Sequence, residues 1–185
     1  MDISLALHEF LRVILLSIPL IVGGIIHMVA VKADILSYLK KPIHQRWFGQ
    51  SKTWRGFVVM PLATWPGVWL AQRLESIFDL NAPLLSPYSS FLLALILGLG
   101  YCLAELPNSF MKRRLGIQEG KTSSKHKWLF IVIDQADSAV GCMIAYSLLI
   151  QISISTILLT IFFGTGLHLI INMSLYWGGI RKNPY

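Results

Sequence analysis

Five apolar runs of bilayer-crossing length divide this chain, and they leave room for little besides a helical membrane bundle. They cover residues 11–30, 56–78, 89–106, 128–149 and 152–175. A hydrocarbon layer of about 30 Å asks for about 17–25 apolar residues per helix, and inside lipid each backbone N–H and C=O must be satisfied within its own segment. The expected fold is therefore all-α: a polytopic integral membrane bundle of about five transmembrane helices, forming a single domain over residues 1–185. Composition agrees, since 55% of residues are hydrophobic, 14% are charged and the mean hydropathy is +0.62, well outside the range of water-soluble domains.

Charge placement gives the bundle a direction. Of the 16 Lys and Arg residues, all but Arg12 and Arg73 fall in alternate connections or the tail. Lys32, Lys40, Lys41, Arg46, Lys52 and Arg55 occupy the link between the first and second runs. Lys112, Arg113, Arg114, Lys121, Lys125 and Lys127 occupy the link between the third and fourth, and Arg181 and Lys182 follow the fifth. Residues 79–88 carry none. Basic residues gather on the cytoplasmic side of membrane proteins, so the expected arrangement in the cell membrane has the N-terminus outside and the C-terminus in the cytoplasm. The formal charge of +7 follows from this sidedness and from an anionic ligand at the basic loops, and no nucleic acid is needed to explain it. The first run has an acidic leader, Asp2 and Glu9, in place of a basic one, and reads as a retained span.

Asp134 and Asp137 stand inside the fourth run. An ionised carboxylate costs a few kcal/mol there, so intramembrane acids normally face a bundle interior and meet a cation, a proton or water. Spacing i, i+3 puts the two on one helix face, where they can grip one metal ion. A plainer alternative is an ion pair with Lys112, Arg113 or Lys52. Glu105, at the end of the third run with Asn108 and Ser109 one turn on, adds a polar group that can face the aspartates across the bundle.

The two basic loops offer the complementary charge. Before the second run, GQSKTWRG (residues 49–56) places Lys52 and Arg55 at a helix N-terminus, where free N–H groups and the dipole favour an anion. The spacing is not that of a P-loop, and membrane anchoring by Lys52 and Arg55 is the competing account. Lys112 supplies an ammonium, and Arg113 and Arg114 guanidinium forks suited to phosphate oxygens, though such runs are also ordinary juxtamembrane anchors. Cys102 and Cys142 lie in apolar runs without metal-ligand spacing and read as packing residues. His27 and His168 read as hydrogen-bonded core histidines, because neither has a carboxylate or second His at i+3 or i+4.

Taken together, SKTWRG (51–56), SFMKRRLG (109–116) and DQAD followed by Gly141 resemble the signature of the CDP-archaeol synthase family, which is related to the CDP-diacylglycerol synthases. The resemblance covers nearly the whole chain. It implies a magnesium-dependent cytidylyltransferase that joins CTP and a lipid phosphate into a CDP-lipid and pyrophosphate. It also assigns Lys52, Thr53, Arg55 and Ser109 to nucleotide binding and Lys112, Arg113, Asp134 and Asp137 to catalysis. Asp134 and Asp137, joined by Glu105, become the metal-binding acids. The usual Gly-Asp of that family at the end of the third span is here Ala104–Glu105, the usual first-span Asn is His27, and the usual Pro-Ile-Asp is Pro42, Ile43, His44. Other readings are a CDP-diacylglycerol synthase acting on phosphatidic acid, an ion-coupled transporter, and a non-catalytic membrane protein.

Overall fold

The computed structural model describes residues 3–78, 83–119 and 127–180. Lys121, Lys125, Arg181 and Lys182 lie outside the described residues. Helix α1 runs over Ile3–Lys32, a single short turn α2 over Gln45–Phe48, and then come α3 (Trp54–Ile77), α4 (Ser90–Arg114), α5 (Lys127–Ser147) and α6 (Ile154–Trp177). At 1.5 Å per residue each long helix exceeds about 30 Å, so all five match a bilayer core in length. Among the described residues four of them, α1, α4, α5 and α6, are also apolar enough to cross by composition.

The exception, α3, carries Arg55, Arg73 and Glu75, and the bundle absorbs two of these charges. Glu75 is 2% exposed, and its carboxylate accepts hydrogen bonds from the backbone N–H of Leu84 at 2.6 Å and Ser86 at 2.7 Å. One turn earlier, Gln72 donates to the carbonyls of Leu85 and Tyr88. A buried carboxylate is tolerable only with such donors. The α3–α4 connection is thus stapled to α3, a feature no hydropathy pattern announces.

The long helices close into a ring in which α3 packs on α1 and α4, α5 on α4 and α6, and α6 on α1. Away from the basic loops the ring is filled by apolar side chains, among them Leu15, Leu16, Val68, Leu93, Leu97 and Tyr146. At the other end it holds polar groups. Both basic loops reach that end, since Glu119 accepts the N–H of Gln50, and α6 ends there too, with Lys32 Nζ donating to the Gly179 carbonyl at 3.1 Å.

Two local devices set up the polar end. Gly100 on α4 meets Gly141 on α5 backbone to backbone: a Cβ at Gly100 would lie 2.8 Å from the Gly141 carbonyl oxygen and 2.8 Å from the Ala145 Cβ. Small residues allow this close approach between membrane helices, and it draws α4 and α5 together just below the acids. The basic run then ends α4 abruptly. Gly116 takes φ +70°, its N–H reaches the Arg113 carbonyl at 3.2 Å, and Ile117 N–H reaches the Lys112 carbonyl at 2.9 Å. That is a Schellman stop, and it fixes Lys112 and Arg113 in the last turn, where their charge suits the helix dipole.

Candidate active site

A cavity of about 830 Å³ occupies the ring at the basic end. The residues that the resemblance assigns to the site all line it: Lys52, Thr53 and Arg55 from the first loop and the start of α3, Glu105, Ser109, Lys112 and Arg113 from α4, and Asp134 and Asp137 from α5; Arg114, the third cation of the run, instead lines a groove with Trp47, Leu103 and Phe110. Proximity of these residues is therefore a property of the fold. Their pairings differ in detail from what spacing alone suggests.

Asp134 and Asp137 share a face of α5 and converge on one point. The Nδ2 of Asn108 lies 2.7 Å from Asp134 Oδ1 and 2.8 Å from Asp137 Oδ2, so one electropositive atom sits within reach of both carboxylates. Lys112 pairs with Asp134, as the ion-pair alternative anticipated, while the Ser138 N–H donates to Asp137 Oδ1 at 2.7 Å. The sequence presents Asn108 only as a polar neighbour of Glu105. Its bridging role depends on the Gly100–Gly141 contact, which spacing along either helix does not reveal.

Glu105, expected beside the aspartates, is held instead by Lys52. Among the described residues no three His, Cys, Asp or Glu side chains come together as a metal cluster; the convergent acids are a pair. Burial draws the Lys52 ammonium downward, but the charge and hydrogen bond of Glu105, with a smaller contribution from Asp137, outweigh it and hold the group above the ordinary lysine range. Lys52 therefore remains cationic at any physiological pH.

The loop carrying Lys52 is organised by its backbone. Pro42 and Thr53 form an isolated antiparallel bridge, with Ile43 N–H donating to the Lys52 carbonyl at 2.9 Å and Trp54 N–H to the Lys41 carbonyl at 3.1 Å. Thr53 is the N-cap of α3. Arg55, the second residue of α3 and 5% exposed, donates to Asp34 Oδ1 at 2.8 Å, so its guanidinium has a counter-charge on the α1 side. Arg113 also lines the cavity, and among the described residues its buried Nε has no hydrogen-bond partner.

The two histidines also line the cavity. His168 Nδ1 stands 3.4 Å from Ser138 Oγ and 3.3 Å from the Gln135 carbonyl, and Asn172 donates to Gln135 Oε1 at 2.6 Å. These contacts lock α6 onto α5 at the level of the aspartates. Looking for partners at i+3 and i+4 misses them, since the partners lie on another helix.

The donor set is oxygen-rich and hard, with two carboxylates aimed at one point, and such a set suits a small divalent cation that keeps part of its water and meets phosphate oxygens. Ammonium and guanidinium groups from both basic loops line the same cavity, with Lys112 in direct contact with Asp134.

Comparison with known proteins converges on one family. The profile described as CDP-archaeol synthase matches residues 10–185. Curated proteins named CDP-archaeol synthase from Methanosarcina mazei and Methanosarcina barkeri are 30% and 28% identical over 153 residues, covering 76% of this chain and 83% of theirs. One from Methanoculleus marisnigri is 28% identical over 155 residues, with 76% and 82% covered. No solved structure matches.

Proposed function

The chain belongs to the CDP-archaeol synthase family, and from that membership we propose how its cavity carries out CTP-dependent cytidylyl transfer in lipid biosynthesis. It is an enzyme, a cytidylyltransferase of multi-pass helical build. The acceptor in this reading is an isoprenoid glycerol ether phosphate, as the name of its relatives indicates. A phosphate oxygen of the lipid attacks the α-phosphorus of CTP, the bond from that phosphorus to the α,β-bridging oxygen breaks, and pyrophosphate leaves with that electron pair. No covalent enzyme intermediate is needed.

Two anions must meet, so charge neutralisation dominates the task. Lys52, Arg55 and Arg113 bind the triphosphate, with Thr53 and Ser109 as hydroxyl donors at the rim. Lys112, paired with Asp134, would balance charge on the reacting phosphates. Asp134 and Asp137 would hold Mg²⁺, with Asn108 fixing their rotamers and Glu105 serving as the counter-charge that keeps Lys52 in place. When bound, the metal supplies Lewis-acid stabilisation of the phosphate oxygens.

One observation carries this reading: both carboxylates converge on the Asn108 amide in a cavity that Lys52, Arg55, Lys112 and Arg113 also line. The test is direct. Purified protein in detergent, CTP labelled on the nucleotide, magnesium and a panel of isoprenoid and acyl lipid phosphates should yield a CDP-lipid and pyrophosphate from an isoprenoid member. Product from acyl phosphates alone would move the acceptor to phosphatidic acid, and no product from any would overturn the proposal.

CTP is cytoplasmic, so the basic end must face the cytoplasm, with the N-terminus outside. Single cysteines at Gln50 and Glu119, in a background lacking Cys102 and Cys142, should react with an impermeant thiol reagent only after the membrane is opened. A cysteine at Asn81, which lies outside the described residues, should react in intact cells. Labelling of Gln50 and Glu119 in intact cells would reverse the orientation.

A further inference from the structure

Among the described residues four carboxylates line the cavity, Glu105, Glu119, Asp134 and Asp137, and the proposed reaction uses three of them. Asp134 and Asp137 form the convergent pair, and Glu105 is the counter-charge of Lys52. Glu119, beyond the end of α4 on the second basic loop, has no part in it. It is exposed where the other three are half-buried, which places it at the cavity rim.

The Glu119 carboxylate is nonetheless seated. Its Oε1 accepts the N–H of Gln50, and its side chain lies against Gly49, where a Cβ would come 3.0 Å from Glu119 Cδ and 3.1 Å from Cγ. Gly49 also takes φ +88°, a conformation that glycine adopts at no steric cost. Glycine at this position therefore makes the turn and leaves room for the acid. Backbone of the first loop holds the carboxylate, so its place does not depend on a flexible lysine or arginine.

A fixed negative charge at the rim opposes a triphosphate that Lys52, Arg55 and Arg113 attract. It suits the uncharged end of the nucleotide instead. Cytosine presents an amino donor, N4–H₂, at the ring position where uracil carries the acceptor O4, and acidic side chains accept from that amino group. An ionised carboxylate accepts and never donates, and one N–H uses only part of its capacity of about four lone-pair sites. The hydroxyls of Ser51 and Ser109 and the amide of Asn108, which line the same cavity, both donate and accept and so fit either base. A carboxylate attracts one base and repels the other.

We propose that Glu119 reads the cytosine N4 amino group and thereby sets the preference for CTP over UTP. The inference rests on the cytidylyltransferase reading for its nucleotide and on the Gly49–Gln50 seat for its location.

The test is equilibrium binding of labelled nucleoside triphosphates to the intact protein in detergent, with magnesium and without lipid phosphate. Wild-type protein should bind CTP tighter than UTP by roughly tenfold or more. The triphosphate of pyrimidin-2-one riboside, which is cytidine lacking the amino group, should fall between them. Glu119→Gln, whose amide can donate as well as accept, should shrink the preference for CTP by roughly tenfold, mainly through tighter UTP. An equal gain for CTP and UTP would make Glu119 a competitor of the phosphates and overturn the proposal. An unchanged preference in the folded variant, an amino-free analogue that binds like CTP, or a wild-type protein without preference would each overturn it too. The analogue requires no substitution, so it decides the matter even where the variant folds poorly. Binding requires no turnover: a wild-type protein that selects CTP through Glu119 yet makes no CDP-lipid would sink the proposed reaction and leave the base contact standing.

Discussion

Asp137→Asn is expected to lower turnover on the order of 1,000-fold, equivalent to about 4 kcal/mol of lost transition-state stabilisation, with membrane insertion and thermal stability nearly unchanged. Asparagine keeps the volume of the side chain and an oxygen toward Asn108, but it removes the negative charge that a divalent cation requires. Asp134→Asn should cost as much activity and also some stability, because Lys112 pairs with that carboxylate and would be left half-buried without it. Asp137 is the cleaner probe, since the neutral amide of Asn108 bonds it at 2.8 Å. Turnover by single-substitution proteins, measured across a magnesium titration, decides the matter. Near-wild-type, magnesium-dependent activity in both variants would show that the acids are not the metal site.

How far the sequence reaches is visible in this pair. Spacing i, i+3 guarantees a shared helix face, and hydropathy guarantees that the face is turned away from lipid, so the convergence of Asp134 and Asp137 is legible from a dozen residues. What lies across from them is not. Asn108 reaches both acids because Gly100 and Gly141 let two helices touch, and Gly within an apolar run is equally compatible with routine packing. His168 reads from the sequence as a hydrogen-bonded core histidine, but its partner Ser138, like the Gln135 partner of Asn172, is distant in sequence and adjacent only once α6 closes the ring.

The helices show the same division. Five apolar runs predict five long helices, and α1, α4, α5 and α6 satisfy span composition as well as length. The helix over the second run, α3, does not; Arg55 at its head and Glu75 near its end are buried charges whose partners, Asp34 and the backbone of residues 84–86, come from outside the helix. Window averages count such charges as if exposed to lipid. Likewise, the placement of Lys52, Lys112 and Arg113 at one end follows from the sidedness of charge, but the particular pairs Lys52–Glu105, Arg55–Asp34 and Lys112–Asp134 require the fold.

Those pairs lead to the second large effect. Lys52→Ala is expected to raise the apparent KM for CTP by about 10- to 150-fold, the span of 1.5–3 kcal/mol for a hydrogen bond to a charged group, while KM for the lipid phosphate moves little. Arg55→Ala should act in the same direction more weakly, because Asp34 engages its guanidinium at 2.8 Å and part of its charge is already balanced. Lys52→Arg keeps the charge and should recover part of the loss. Glu105→Gln isolates the role of the counter-ion: with Lys52 freed from its carboxylate, CTP should bind at least as well, but the ammonium loses its fixed position and kcat falls. Steady-state kinetics at varied CTP, with lipid phosphate held saturating, separates the two parameters. If Lys52→Ala and Arg55→Ala both leave the apparent affinity for CTP unchanged, the first loop is a membrane anchor, and the triphosphate must be held by α4 alone.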